Sequence, residues 1–172
     1  AGVAVAAELA HRRALQDLPE LVVSLGSAGS AVHPQGEVFQ VSSVAYRDID
    51  ASPLGFDKGR TPFVDLPAVV ELPYHVPGVG SARLSTGAAV VSGAAAYAAI
   101  DAELVDMETF AVLRACHRFA VPLIGLRGVS DGAADLTRYA DWADYLHVVD
   151  ERLAGAVDAL EAAWTAGTLV RR

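Results

Sequence analysis

An α/β domain with a largely buried sheet is the fold class that this sequence predicts. Three observations predict it. Short β-rich apolar runs alternate with stretches of helical spacing, which is the pattern of strands feeding helices. At 172 residues, with 53% apolar and 20% charged residues, the chain is long and apolar enough for one domain, 1–172, with a real core. Several strand-like runs are apolar at nearly every position, as expected where helices cover both faces of a sheet.

The elements follow in order. Residues 3–16 are alanine-rich with apolar residues at helical spacing and end before Pro19, so they predict a helix. LVVSL (21–25) lies between Pro19 and Gly26 and reads as a buried strand, followed by a tight small-residue loop, GSAGS (26–30). EVFQVSSVAYRD (37–48) is β-branched and aromatic and predicts a long strand. Residues 50–63, rich in Pro and Gly, read as an extended loop whose length makes it a candidate binding or interface segment. Pro67, Pro73, Pro77 and Gly78 exclude a long helix over 67–80.

Residues 82–93 predict a strand running into a loop, 94–100 a short helix, 103–107 a strand, 109–119 a helix and 121–131 a strand. From Tyr139 onward one apolar stripe, Trp142, Leu146, Val149, Leu153, Val157, Leu160 and Trp164, predicts an amphipathic core-facing helix.

Composition excludes several function classes. A net charge of −8 argues against a large nucleic-acid surface, which needs clustered Lys and Arg. No apolar run reaches the roughly 18 residues of a membrane span, and no secretory pattern is visible. Cys116 is the single cysteine and sits in an apolar helix, which fits a core residue and a reducing, cytoplasmic setting. The five histidines are scattered, none at metal-ligand spacing, so neither a metal nor a cofactor is expected.

Chemistry in such a fold belongs outside the carboxyl ends of the strands. Three polar loops leave strand-like runs: Gly26-Ser27-Ala28-Gly29-Ser30, Asp106-Met107-Glu108 and Ser130-Asp131-Gly132. With parallel strands these loops share one rim, and Glu108 and Asp131 converge although 23 positions separate them. Plainer roles compete. Asp106 or Thr109 suits a helix cap, and Asp131 suits a turn before Gly132. Arg127, in an apolar strand, needs a buried partner, for which a nearby carboxylate is the obvious choice.

The segments VVSLGSAGS (22–30), VDMETFAVLRACHRFAVPLIGLRGVSD (105–131) and YRDIDASPLGF (46–56) resemble the nucleoside phosphorylase/hydrolase superfamily, specifically the 5′-methylthioadenosine/S-adenosylhomocysteine nucleosidases. The Met-Glu pair before a helix, then a strand ending Arg-x-x-Ser-Asp, is the specific part. The resemblance implies a three-layer α/β/α fold with a central mixed sheet, a purine-nucleoside substrate, hydrolysis of its N-glycosidic bond and no cofactor. It implies that Glu108, after Met107, holds the ribose hydroxyls. Asp131 protonates purine N7, with Ser130 on the base side. Ser27, with Ala28 and Gly29, faces the ribose and water, and Arg127 supports the carboxylates. Leu54, Phe56 and Pro62 reach a neighbouring subunit's pocket, and a homodimer follows.

Two departures from the pattern stand out. The family begins with a strand and a water-activating glutamate, whereas this chain opens on a helix in which Glu8 does not match, so the first strands are expected to be missing. At 84–93, where the family carries an aromatic that stacks on adenine, Ala89 and Val90 stand instead.

Overall fold

The computed structural model describes residues 1–132 and 134–171. The helices are α1 (Gly2–Ala14), α2 (Ala94–Ala98), α3 (Thr109–Phe119), α4 (Tyr139–Ala143) and α5 (Leu146–Thr165). The strands are β1 (Val22–Gly29), β2 (Val38–Tyr46), β3 (Val69–Glu71), β4 (Tyr74–His75), β5 (Gly80–Thr86), β6 (Leu104–Asp106), β7 (Leu123–Asp131) and β8 (Val170–Arg171). A mixed central sheet has the order β3-β2-β5-β6-β1-β7, and β2 also pairs with β7, so the sheet curls until β7 meets β2, with β3 outside the closure. β4 and β8 form a separate antiparallel pair.

Hydrophobic burial explains the layering. Along β7 every residue is buried, because helices cover it on both sides. On one side Leu9 of α1 and Phe110, Val112, Leu113 and Cys116 of α3 pack with Val41, Val44, Leu84, Leu104 and Leu123 of the sheet. On the other, Val149, Leu153, Ala156 and Leu160 of α5 pack on Ile124 and Leu126 of β7 and on Val76. Each fully buried aliphatic side chain contributes about 1.5–3 kcal/mol.

The rim at the strand ends is built differently from a simple parallel sheet. β1 and β7 run parallel from Val22↔Leu123 to Ala28↔Val129, and β5 and β6 run parallel from Leu84↔Leu104 to Thr86↔Asp106. The two pairs oppose each other, for β1 and β6 are antiparallel and touch at one bridge, Gly29↔Val105. Their carboxyl ends therefore meet tip to tip, which brings the loops after β1, β6 and β7 together. Among the described residues, Val22–Ala28 have a strand on the β7 side alone, and Val23 and Leu25 there are exposed. An apolar open edge of this kind is a template for a further strand.

Three expectations change. GSAGS does not form a separate loop. β1 continues through Gly29, because small side chains accept extended backbone and β7 supplies the hydrogen bonds, as in Gly26↔Arg127 and Ser27↔Gly128. The stretch from Tyr139 is not one helix. It breaks between α4 and α5, so the short α4 turns toward the strand ends while α5 follows the sheet. Trp164 accordingly leaves the stripe at 43% exposure, and Ala156 and Ala163 are buried in the contact face. Residues 67–80 form no long helix, as expected, yet they contribute β3, β4 and the start of β5. No described helix is long and apolar enough to cross a membrane.

Candidate functional site

A cavity of about 500 Å³ opens at the meeting strand ends, within the size range of small-molecule sites. Ser27, Ala28 and Gly29 from the end of β1 form one wall, and Val105 to Glu108 from the end of β6 form another. Ser130 and Asp131 close β7 at its base. Ala89, Val90 and Val91 follow β5, and Leu136 to Tyr139 with Trp142 arrive from the α4 side. Glu108 and Asp131 thus border one space, along with the expected Ser27, Ala28, Gly29, Ala89, Val90, Met107 and Ser130.

Asp131 is 7% exposed and is held at both oxygens. The Ser130 hydroxyl donates to Oδ1 at 2.7 Å, and the Tyr97 phenol donates to Oδ2 at 3.2 Å. Its backbone carbonyl accepts the Ser30 N–H at 3.0 Å, which fixes the β1–β7 register at the rim. Burial first, and then the negative charge of Asp131, pushes the Tyr97 phenol above its ordinary range, against the opposing positive charge of Arg47. Glu108 is exposed at the start of α3, where an anion is favoured by the helix dipole. Its carboxylate accepts the Met107 N–H at 3.3 Å.

Behind the rim Asp106 and Arg127 form a buried ion pair at 3.2 Å. Asp106 also accepts the Thr109 N–H at 3.0 Å, its hydroxyl, and the Thr86 hydroxyl at 2.6 Å, so it satisfies the first N–H of α3 and ties the helix to β5 and β6. Arg127 donates further to Ser24 O (2.9 Å), Ser24 Oγ (3.0 Å) and Thr109 Oγ1 (2.6 Å). Arg127 lies behind the cavity and not in its lining. Its guanidinium faces inward and fixes Asp106, hence the backbone that presents Met107 and Glu108. Phe56 packs edge-on against Phe63, with ring centroids 5.9 Å apart, in the 50–63 loop that the resemblance directs to a neighbouring subunit's pocket and not to this one.

Other groups stand at the site to which the hydrolase resemblance gave no role. Arg47 lines the cavity and clamps the strand ends, donating to Ser85 O (2.6 Å), Ala89 O (2.8 Å) and Asp106 O (3.3 Å). Next to it the Asp48 carboxylate accepts the Ala88 N–H. Tyr139 and Trp142, edge-on at 5.3 Å, give the cavity an aromatic side that residues 84–93 lack. Periodicity had assigned Trp142 to the core stripe. Tyr97 had one sequence signal, a lone large side chain in an alanine run. Among the described residues no group of His, Cys, Asp and Glu has the geometry to hold a metal ion.

Fold and cavity together define an α/β protein with a cavity of small-molecule size where two opposed parallel strand pairs meet, bordered by Glu108 and Asp131. The profile of the Phosphorylase superfamily matches residues 2–161, and the chain belongs to that superfamily. It is 29% identical over 130 residues to a 5′-methylthioadenosine/S-adenosylhomocysteine nucleosidase of Actinobacillus succinogenes, covering 66% of this chain and 56% of the relative. To the nucleosidase of that name from Baumannia cicadellinicola it is 28% identical over 151 residues, covering 78% and 66%. The chain thus spans between 56% and 66% of the length of these curated relatives.

Solved structures share the fold. The 5′-methylthioadenosine/S-adenosylhomocysteine nucleosidase of Neisseria meningitidis, in complex with methylthio-immucillin-A, superposes with a TM-score of 0.75 at 22% identity, covering 92% of this chain and 74% of that one. The futalosine hydrolase of Helicobacter pylori superposes with a TM-score of 0.73 at 18% identity, covering 91% and 75%.

Proposed function

We propose that the protein hydrolyses the N-glycosidic bond of a purine nucleoside with a 5′-thio substituent, 5′-methylthioadenosine or S-adenosylhomocysteine, giving adenine and a 5-thioribose product. The observation that carries this reading is that Glu108 and Asp131 border one nucleoside-sized cavity despite their separation in sequence. The names of the curated relatives support the substrate class.

In this mechanism the C1′–N9 bond breaks and its electron pair passes to the purine. Asp131 gives its proton to N7, which neutralises the departing base, a contribution of roughly 10²–10⁴-fold. Glu108, as carboxylate, accepts hydrogen bonds from the ribose hydroxyls and stabilises the positive charge that builds on the sugar. Water adds to C1′, and the proton it sheds restores Asp131 over the cycle. Ser27, Ala28 and Gly29 flank the ribose. Tyr139 and Trp142 offer apolar and stacking surface where Ala89 and Val90 offer little. The reaction belongs to methionine salvage, in the cytoplasm, where a lone buried cysteine stays reduced.

The subunit arrangement in this reading is a homodimer in which Leu54, Phe56 and Pro62 approach the partner's pocket. It is supported by the exposure of Leu54 (78%) and of Phe63 (99%) in the same loop, since apolar side chains exposed together mark interaction surfaces.

One observation favours a second reading. Arg47 at the cavity suits a phosphate nucleophile and hence a phosphorylase, although three backbone carbonyls already engage its guanidinium. Assaying adenine released from 5′-methylthioadenosine with and without phosphate separates the readings. Release without phosphate is expected. Strict phosphate dependence with a sugar 1-phosphate product would establish the phosphorylase, and tight binding without release a nucleoside-binding protein.

A further inference from the structure

Helix α2 consists of alanine apart from Tyr97. Five residues are too few to sustain a helix in water, so α2 depends on packing. Tyr97 supplies it: 8% exposed, it lies in a small cluster with Val91, Val105 and Ile100. A leucine or phenylalanine would serve that packing. The phenol oxygen adds what they lack, a hydrogen bond to Asp131 Oδ2 at 3.2 Å.

The strand beneath leaves room for this contact. A Cβ on Gly29 would lie 2.2 Å from the Tyr97 phenol oxygen and 2.7 Å from Asp131 Oδ2. Gly29 does not have a positive φ. The requirement for glycine is therefore the close approach of the Tyr97–Asp131 pair, not the backbone conformation. Two independent features, a lone tyrosine in an alanine helix and a side-chain-free position on β1, serve one hydrogen bond.

We propose that Tyr97 is a positioning residue for Asp131, orienting its carboxyl and stabilising the negative charge left on it when its proton passes to the departing purine. The inference rests on the general-acid role given to Asp131 above. The Asp131 O–H bond breaks and the N7–H bond forms, while Tyr97 keeps its own proton throughout. Burial and the neighbouring carboxylate favour the neutral phenol, which stays a donor over the working pH range. Its hydrogen bond strengthens as charge develops, so it acts on the transition state more than on bound substrate.

The charged groups around Asp131 are Arg47 after β2, Asp106 and Glu108 at the end of β6, and Arg138 before α4, with Asp135 in the adjoining hollow. All are common to the wild type and to Tyr97→Phe, so a difference between their pH profiles reports the hydroxyl.

The test is Tyr97→Phe beside Asp131→Asn, with kcat, KM and the kcat–pH profile measured on 5′-methylthioadenosine. Loss of a hydrogen bond to a developing charge is expected to lower kcat by about 10- to 100-fold, with KM within about twofold. A donor that favours the ionised carboxyl is gone, so the alkaline limb, where the acid loses its proton, moves to higher pH by about one unit. Wild-type kcat in Tyr97→Phe, with Asp131→Asn inactive, would overturn the role of Tyr97 and leave that of Asp131 standing. A lowered kcat with an unmoved limb and a reduced melting temperature would reduce Tyr97 to packing and also overturn it. Wild-type turnover in Asp131→Asn would remove the acid itself, and the inference with it.

Discussion

Replacing Arg127 with methionine tests how the rim is held. The Arg127 side chain is 2% exposed and that of its partner Asp106 1%. Its guanidinium donates to Asp106, to Thr109 Oγ1, to Ser24 through both backbone and side chain, and to Leu126 O. Methionine fills similar volume but leaves a buried carboxylate without its cation, which costs about 3–5 kcal/mol. For a chain of 172 residues, at roughly 2–4 °C per kcal/mol, the melting temperature is expected to fall by about 6–20 °C. Urea unfolding at constant m-value gives the free energy directly. In the double variant Arg127→Met, Asp106→Leu the buried charge is gone, so the combined loss should be smaller than the sum of the single losses by at least about 1 kcal/mol. Strict additivity, or an Arg127→Met loss under about 1 kcal/mol, would refute the view that this pair is the internal brace of the site.

Other outcomes are expected. Asp131→Asn should lower turnover by about 10²–10⁴-fold while substrate binding, measured by calorimetry, stays close to wild type. Burial pushes the Cys116 thiol up from its ordinary 9.0 to about 11, so it should react with a thiol reagent at pH 8 only after unfolding. Because the folded state keeps that proton longer than the unfolded one, the thiol's contribution to stability is complete below pH 9 and is lost as pH rises toward 11, which urea midpoints across that range would reveal. Replacing the exposed Leu54 and Phe63 with glutamate should shift a dimer toward monomer in analytical ultracentrifugation, and an unchanged mass would take the 50–63 loop out of the interface.

Much of the site was legible before any coordinates. The run from Val105 to Asp131 encodes a strand, a helix and a strand through local periodicity alone, and placing acids at its two ends follows from where strands and helices stop. Arg127 announced a buried carboxylate because a guanidinium in an apolar strand is untenable without one; Asp106 is that partner. Which carboxylate it would meet was not legible, because the pairing of β6 with β7's neighbourhood is set by the sheet and not by the local pattern. The glycines of GSAGS read as a loop because propensity is local, whereas the pairing with β7 that extends them is not. Trp142 matched the apolar stripe and yet borders the cavity, since the break before α5 is set by what α4 meets at the strand ends.

By itself the sequence determined the alternating elements, the buried sheet and the two acids at the ends of one strand–helix–strand unit, all properties of residues close along the chain. Tertiary structure alone decided that two parallel strand pairs meet tip to tip at Gly29 and Val105, that Arg47 reaches the cavity and that Tyr97 reaches Asp131. The physical reason is range. Periodicity and propensity act over a few residues, while the curvature that joins β1 to β6 and β2 to β7 comes from packing the whole sheet between its helices.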